Sequence, residues 1–150
     1  MSDKLDADGI EVFGFFNEVG IIDQLSTALL AECLPDGVHP SHFSIINHLV
    51  RMGDGKPPVR IAKAMQVTKN TMTHSLKVLE DRNFIKVVPD PNDGRGKLVR
   101  LTDTGRAFRE EAIARVLERF GSIIEPEHRQ IMRRIIGDLA VIRRHLDENR

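Results

Sequence analysis

Between positions 68 and 82 apolar and polar residues alternate with a helical period. Met72, Leu76 and Leu79 fall at i, i+4 and i+7, while Lys69, Asn70, Thr73, His74 and Lys77 fall on the opposite side. Thr68 stands where an N-cap belongs, so the pattern predicts a helix beginning there, with a polar, basic face and no carboxylate before Glu80. A shorter helical pattern occupies 59–65, and only Gln66 and Val67 separate the two. Directly afterwards 83–88 is β-branched and alternating, and 89–96 is rich in Pro, Asn, Asp and Gly. Residues 97–101 return as a second strand, with Leu98 and Arg100 on one face and Val99 and Leu101 on the other. A two-stranded ribbon is marginal alone and must lean on the helices before it.

Longer helical patterns flank this centre. Phe13, Phe16, Gly20, Leu25, Leu29 and Cys33 recur mostly three or four apart, with Phe15, Val19, Ile22 and Leu30 widening the stripe. They predict one helix over 9–34 with too much apolar surface for a lone exposed helix. Leu34, Pro35, Asp36 and Gly37 end it. Pro40 and Ser41 open the next, with Ser41 as cap and Phe43, Ile46, Leu49 and Val50 turned inward, and 52–58 is a loop by glycine and proline content. After the ribbon, Thr102 as cap and Asp103 in the first turn start a helix to about position 120, where Gly121 and Ser122 break it. The last helix starts near Pro126 and carries Ile131, Ile135, Leu139, Ile142 and Leu146 at spacings of 4, 4, 3 and 4, a seam that asks for a partner helix. The predicted fold class is mainly α with a small antiparallel β wing. A winged helix-turn-helix at 38–102 lies between long N- and C-terminal dimerisation helices at 9–37 and 103–148, within a single domain of 1–150.

The formal net charge of zero argues at first against a nucleic-acid partner, but its distribution reverses that inference. Residues 56–106 hold 11 Lys or Arg against 5 Asp or Glu, whereas 1–55 hold 2 against 9 and 107–150 hold 9 against 8. A positive middle between acidic or neutral ends is the footprint that phosphate binding needs. The lone Cys33 excludes an internal disulfide framework, no stretch approaches the roughly 18 apolar residues of a membrane span, and the first residues are acidic where a signal peptide is basic. These features predict a soluble, cytoplasmic protein with no membrane partner.

A short helix, a tight turn and a second helix with a polar outer face fit the major groove of duplex DNA, where each base pair displays its own donors and acceptors. Lys69 can donate to guanine, Asn70 can pair with adenine, Thr73 can reach a base or a thymine methyl, and His74 and Lys77 can reach bases or phosphates. At the wing tip Arg95 stands between glycines that allow close backbone approach to the minor groove or phosphates. One such unit covers one half-site, so useful affinity calls for a two-fold dimer. The seam from Ile131 to Leu146 and the phenylalanines of the first helix would supply its interface.

The run Asn92-Asp93-Gly94-Arg95-Gly96-Lys97-Leu98-Val99-Arg100-Leu101-Thr102-Asp103-Thr104-Gly105 resembles the wing signature of the MarR family of transcription regulators. It shares an Asp, an Arg two positions on, a strand, and then Leu-Thr-x-x-Gly. Residues 68–84 also match the family's recognition-helix pattern, and the order of elements covers nearly the whole chain. The resemblance implies a homodimer on a palindromic double-stranded DNA operator, acting as a repressor whose affinity a small-molecule effector changes. It implies Arg95 as a DNA contact, with Asp93 orienting it or the neighbouring backbone; Lys97 is a further candidate contact from the basic character of the ribbon itself, which also carries Lys86 and Arg100. The resemblance also implies a ligand pocket between the dimer helices and the DNA-binding lobe, with Phe13, Phe16, Phe43 and Ile46 as candidate walls that serve equally well as core. Asn83 departs from the family's glycine before the wing strand, but Asn tolerates the left-handed conformation.

The competing readings are weaker. The polar helix face could be merely solvated and the fold a protein-interaction module without DNA binding, but the basic wing beside it speaks against that. Cys33 has no basic neighbour to lower its pKa, Glu32 is adjacent, and its structural reading is favoured over a redox switch. His39, His42 and His48 have no recognised metal spacing, and 90–101 lacks the Glu of a calcium loop. No nucleophile motif, no paired acid and base, and no phosphate-binding loop stand in the chain, so neither enzyme chemistry nor a cofactor or metal is expected.

Overall fold

The computed structural model describes residues 6–149, which divide into two compact units parting between Val116 and Leu117. In chain order the described elements are α1 (Ala7–Cys33), α2 (Pro40–Met52), α3 (Pro58–Met65), α4 (Lys69–Asp81), β1 (Ile85–Asp90), β2 (Asp93–Leu101), α5 (Asp103–Gly121) and α6 (Pro126–Glu148). The architecture is therefore the expected winged helix-turn-helix, mostly helical with one two-stranded antiparallel sheet among the described residues.

In the first unit α1 opens on Asp6, whose carboxylate accepts the Gly9 N–H at 2.7 Å. Along its length α1 buries no residue. Helix α2 starts differently from the sequence expectation. Its cap is His39 rather than Ser41, because Pro40 takes the first helical position, where a missing N–H costs nothing. The His39 N–H donates to Nδ1 of His42 at 3.0 Å. The inward side of α2 is His42, Ile45, Ile46 and Leu49, while Phe43 and Val50, both expected inward, are only half-buried.

The core joins α2 to Ile61 and Ala62 of α3, to Met72, Leu76 and Leu79 of α4, to Ile85 and Val99 of the wing, and to Phe84 and Phe108. Each Val, Leu, Ile, Phe or Met side chain fully withdrawn from water contributes about 1.5–3 kcal/mol; Ile46, Leu49, Met72, Leu76 and Leu79 belong to the stripes read from the sequence, whereas Ile45, Ile61, Phe84 and Phe108 join them only in the fold.

The wing is longer than its alternation suggested. Pairing runs from Ile85↔Leu101 through Pro89↔Lys97, slips at a bulge, and closes on Asp90↔Asp93, leaving Pro91 and Asn92 as the connection. Pro89 is accommodated because β1 is an edge strand, where a missing N–H breaks no further ladder. Lys56 forms an isolated bridge to Val99 on the other side of β2. Leu98 and Val99 are both buried although they face opposite ways, so water is excluded from both faces of the wing's base.

At that base Asn83 takes the left-handed conformation, φ 58°, as its residue type allows. The Thr102 hydroxyl donates to the Asn83 carbonyl at 2.6 Å and accepts the Gly105 N–H at 2.9 Å, which makes it the expected cap of α5. A Cβ at Gly105 would overlap the Phe84 carbonyl oxygen, and this close approach is why a glycine stands there. In the second unit Glu125 precedes α6 and donates its N–H to Nδ1 of His128 at 3.2 Å. Helix α6 also buries no residue. Among the described residues no helix is long and apolar enough to cross a membrane.

Candidate nucleic-acid interface

The turn between α3 and α4 is set by backbone geometry. Gln66 is left-handed at φ 53°, its N–H reaches the Lys63 carbonyl at 3.2 Å, and the Val67 N–H reaches the Ala62 carbonyl at 3.0 Å. That pair of bonds is a Schellman closure, made here without the usual glycine. Thr68 then caps α4, its hydroxyl accepting the Thr71 N–H at 3.2 Å.

Helix α4 buries Met72, Ser75, Leu76 and Leu79. With that stripe inward, Lys69, Asn70, Thr73, His74 and Lys77 are all exposed, as the periodicity predicts. Two of the five already have local partners. The Thr73 hydroxyl donates to the Lys69 carbonyl at 2.9 Å, and Lys77 Nζ lies 3.2 Å from Asp81 in a solvent-exposed pair one turn on. Such a pair contributes only about 0.2–0.5 kcal/mol, so it leaves Lys77 free to exchange Asp81 for a phosphate.

At the wing tip Asp93, Arg95 and Lys97 are exposed. Asp93 holds the backbone, its Oδ1 accepting the Arg95 N–H at 3.0 Å, while Asp90 does the same for Asn92 at 2.9 Å. The two glycines beside Arg95 differ. A Cβ on Gly96 would lie 3.0 Å from Asp90 Cβ and 3.1 Å from Asp93 Oδ2, whereas one on Gly94 would meet open space. Gly96 therefore serves the wing's own packing, and Gly94 leaves room beside the arginine.

Arg82 was not singled out by sequence reasoning. Its guanidinium donates to the Asp36 carbonyl, tying the C-terminal end of α4 to the loop after α1, and Gly37 makes room for it. The buried His42 is held below the usual imidazole pKa by burial first, and then by His39, His74 and Arg82. His48 is lowered too, by burial and then by Lys56 and Arg51. Among the described residues no group of three His, Cys, Asp or Glu could hold a metal ion.

The candidate pocket walls divide. Ile46 is fully buried in the core, and Phe43 is half-buried with its ring edge toward Phe108 at 6.4 Å. Phe13 and Phe16 are exposed on α1. A cavity of about 280 Å³ lies instead among Cys33, Pro35, Phe84, Ala107, Phe108 and Ala112, with Glu111 and Arg115 at its polar side. The stacked rings of Phe84 and Phe108, 4.3 Å apart, form part of its wall. Sequence periodicity could not find it, because α1, α5 and the α4–β1 junction meet there through tertiary packing.

A family profile described as MarR family matches residues 36–96, from the loop after α1 to the wing tip. The chain is 30% identical over 94 residues to the multiple antibiotic resistance protein MarR of Escherichia coli, an alignment covering 62% of this chain and 65% of that protein. It thus spans just under two thirds of that curated relative's length. The crystal structure of wild-type E. coli MarR in its apo form matches with a TM-score of 0.69 at 22% identity, covering 82% of this chain and 94% of that one. A mutant MarR from E. coli complexed with operator DNA matches with a TM-score of 0.62 at 21% identity, covering 90% and 99%. A Bordetella bronchiseptica BpsR structure, which concerns regulation of DNA binding by 6-hydroxynicotinic acid, matches with a TM-score of 0.63 at 22% identity, covering 85% and 98%.

Proposed function

We propose that the chain is a transcription regulator of the MarR family, as its profile match, its curated relative and its fold support, and that it is a dimeric, sequence-specific DNA-binding repressor whose grip on a palindromic operator is relaxed by a small molecule. The observation that carries this reading is the exposed polar face of α4 joined, through one tight junction, to a wing whose tip exposes Arg95. In this assignment Lys69, Asn70, Thr73, His74 and Lys77 read base edges in the major groove. Arg95, with Asp93 and Lys97, holds the minor groove and the backbone. The operator complex of the E. coli relative supports it by analogy of fold.

Apolar residues left uncovered on both terminal helices support the dimer: Phe13, Phe16 and Leu25 on α1, and Ile131, Ile135 and Leu139 on α6, are all exposed. A two-fold pairing that covers them doubles the DNA-reading surface at the half-site spacing of about 10 base pairs. The effector seat is the cavity beside Phe84, because that ring stands where α4 gives way to β1 and can pass a displacement to both DNA-reading elements.

The test is binding to duplexes recovered from a genomic library, measured against salt. Affinity should fall steeply with salt, with a slope growing by about 0.9 per phosphate neutralised. Asn70→Ala should change the preference among operator variants by roughly 1–3 kcal/mol. Binding without salt dependence or sequence preference would overturn the regulator reading in favour of a protein-interaction module.

A further inference from the structure

The wing is gripped by the α2–α3 loop as well as by the helix-turn-helix. The loop between α2 and α3 runs beside the outer edge of β2: the Gly55 N–H donates to the Val99 carbonyl at 2.7 Å, and the Val99 N–H donates to the Lys56 carbonyl at 3.0 Å. A side chain completes the grip. Oδ2 of Asp54 accepts the Leu101 N–H at 2.7 Å, and its Oδ1 lies 3.9 Å from Arg100 Nη1. Gly55 is left-handed at φ 72°, and a Cβ there would come within 2.6 Å of the same Arg100 guanidinium. Lys56 is itself fixed, its Nζ donating to the Met52 carbonyl at the end of α2 at 2.7 Å. Every bond from this loop to the wing lands on β2 within three residues of its base.

We propose that Asp54 is a positioning residue for DNA recognition: its carboxylate sets the angle at which β2 leaves the lobe, and hence where Arg95 stands relative to the polar face of α4. The inference rests on the wing contact proposed above. Arg95 is six residues up the strand from Leu101, about 20 Å at 3.3 Å per residue, so a tilt of about 5° at the base moves the tip by about 2 Å. That displacement exceeds the tolerance of a hydrogen bond to a phosphate or a base edge. The β1–β2 ladder and the buried Ile85 and Val99 hold the wing folded without Asp54, so what its carboxylate adds is direction.

The experiment is a double-mutant cycle on the full chain, using as probe the tightest duplex selected from a random 20-base-pair pool. Arg95→Ala should weaken binding by about tenfold and flatten its salt dependence. Asp54→Ala should weaken binding about three- to tenfold in the wild-type background and less than about twofold beside Arg95→Ala, because both changes remove the same contact. Asp54→Asn, which keeps an acceptor for the Leu101 N–H, should restore most of the loss and guards against misfolding of the alanine variant. If Asp54→Ala costs the same in both backgrounds, or nothing in either, the positioning role is overturned while the wing contact stands. If Arg95→Ala has no effect, the wing contact itself is overturned, and the positioning role with it.

Discussion

Helices α4 and α6 carry apolar stripes of similar regularity, yet they end in opposite environments. Met72, Leu76 and Leu79 of α4 are exposed by 5% or less, while Ile131, Ile135, Leu139 and Leu146 of α6 remain 37–48% exposed. The difference lies in what each stripe meets. Helix α4 packs on α2, α3 and β1 of its own lobe, whereas the stripe on α6, like the apolar side of α1, is left facing water. A stripe by itself therefore predicts burial without saying by which chain, and exposed apolar surface on this scale marks an interaction site.

The two stripes should respond differently to truncation, and the core gives the largest effect. Leu79→Ala should lower the unfolding free energy by about 2–5 kcal/mol, measured by denaturant titration, and the loss should not depend on protein concentration. Under the proposed dimer, Ile135→Ala should instead raise the protein concentration at which the subunits dissociate, measured by sedimentation on dilution, with a smaller change in the stability of the α4 lobe. Equal, concentration-independent losses at the two sites would erase the distinction between the stripes.

A smaller effect separates local from tertiary support within the lobe. Thr68→Ala removes the acceptor of the Thr71 N–H and should cost about 1 kcal/mol. DNA affinity at saturating folded protein should fall less than on Asn70→Ala, since the cap sets the helix and, under the proposed function, the asparagine reads the base.

The smallest expected effect is with pH. His42 is held below the ordinary 6.5 in the folded state, so between the two values the unfolded chain binds more protons. The contribution is full above pH 6.5 and is lost as the pH falls below it toward the folded value. Protonation of His42 also removes the acceptor for the His39 N–H. Thermal unfolding between about pH 7 and pH 5, the window where histidine titrates, should show a decline that His42→Asn reduces, with His48 supplying the remainder. An unchanged slope in that variant would remove His42 from the acid response.

What was legible in the sequence was local. Thr68, the stripe from Met72 to Leu79, the left-handed Asn83 and the Thr102 cap each depend on neighbours within about one or two helical turns, where periodicity and capping rules act. Boundaries shifted where one rule yielded to another. Pro40 moved the α2 cap back to His39, and Pro89 and Asp90 paired as strand although their composition reads as a turn, because an edge strand tolerates proline and a bulge absorbs the slip. The long-range features stayed hidden. Asp54 meets Leu101 across 47 positions, and Arg82 meets Asp36 across 46. No local pattern marks either pair.

The Thr102 hydroxyl, which bonds both Asn83 and Gly105, has a consequence for how the molecule opens. One oxygen joins the turn that follows α4, the end of β2 and the first turn of α5, so none of these segments frays at this point without disturbing the other two. Their backbone amides should exchange with solvent in a single cooperative event rather than in sequence. The junction that a DNA or effector signal would cross is thereby a unit of local stability, and it either holds as a whole or opens as a whole.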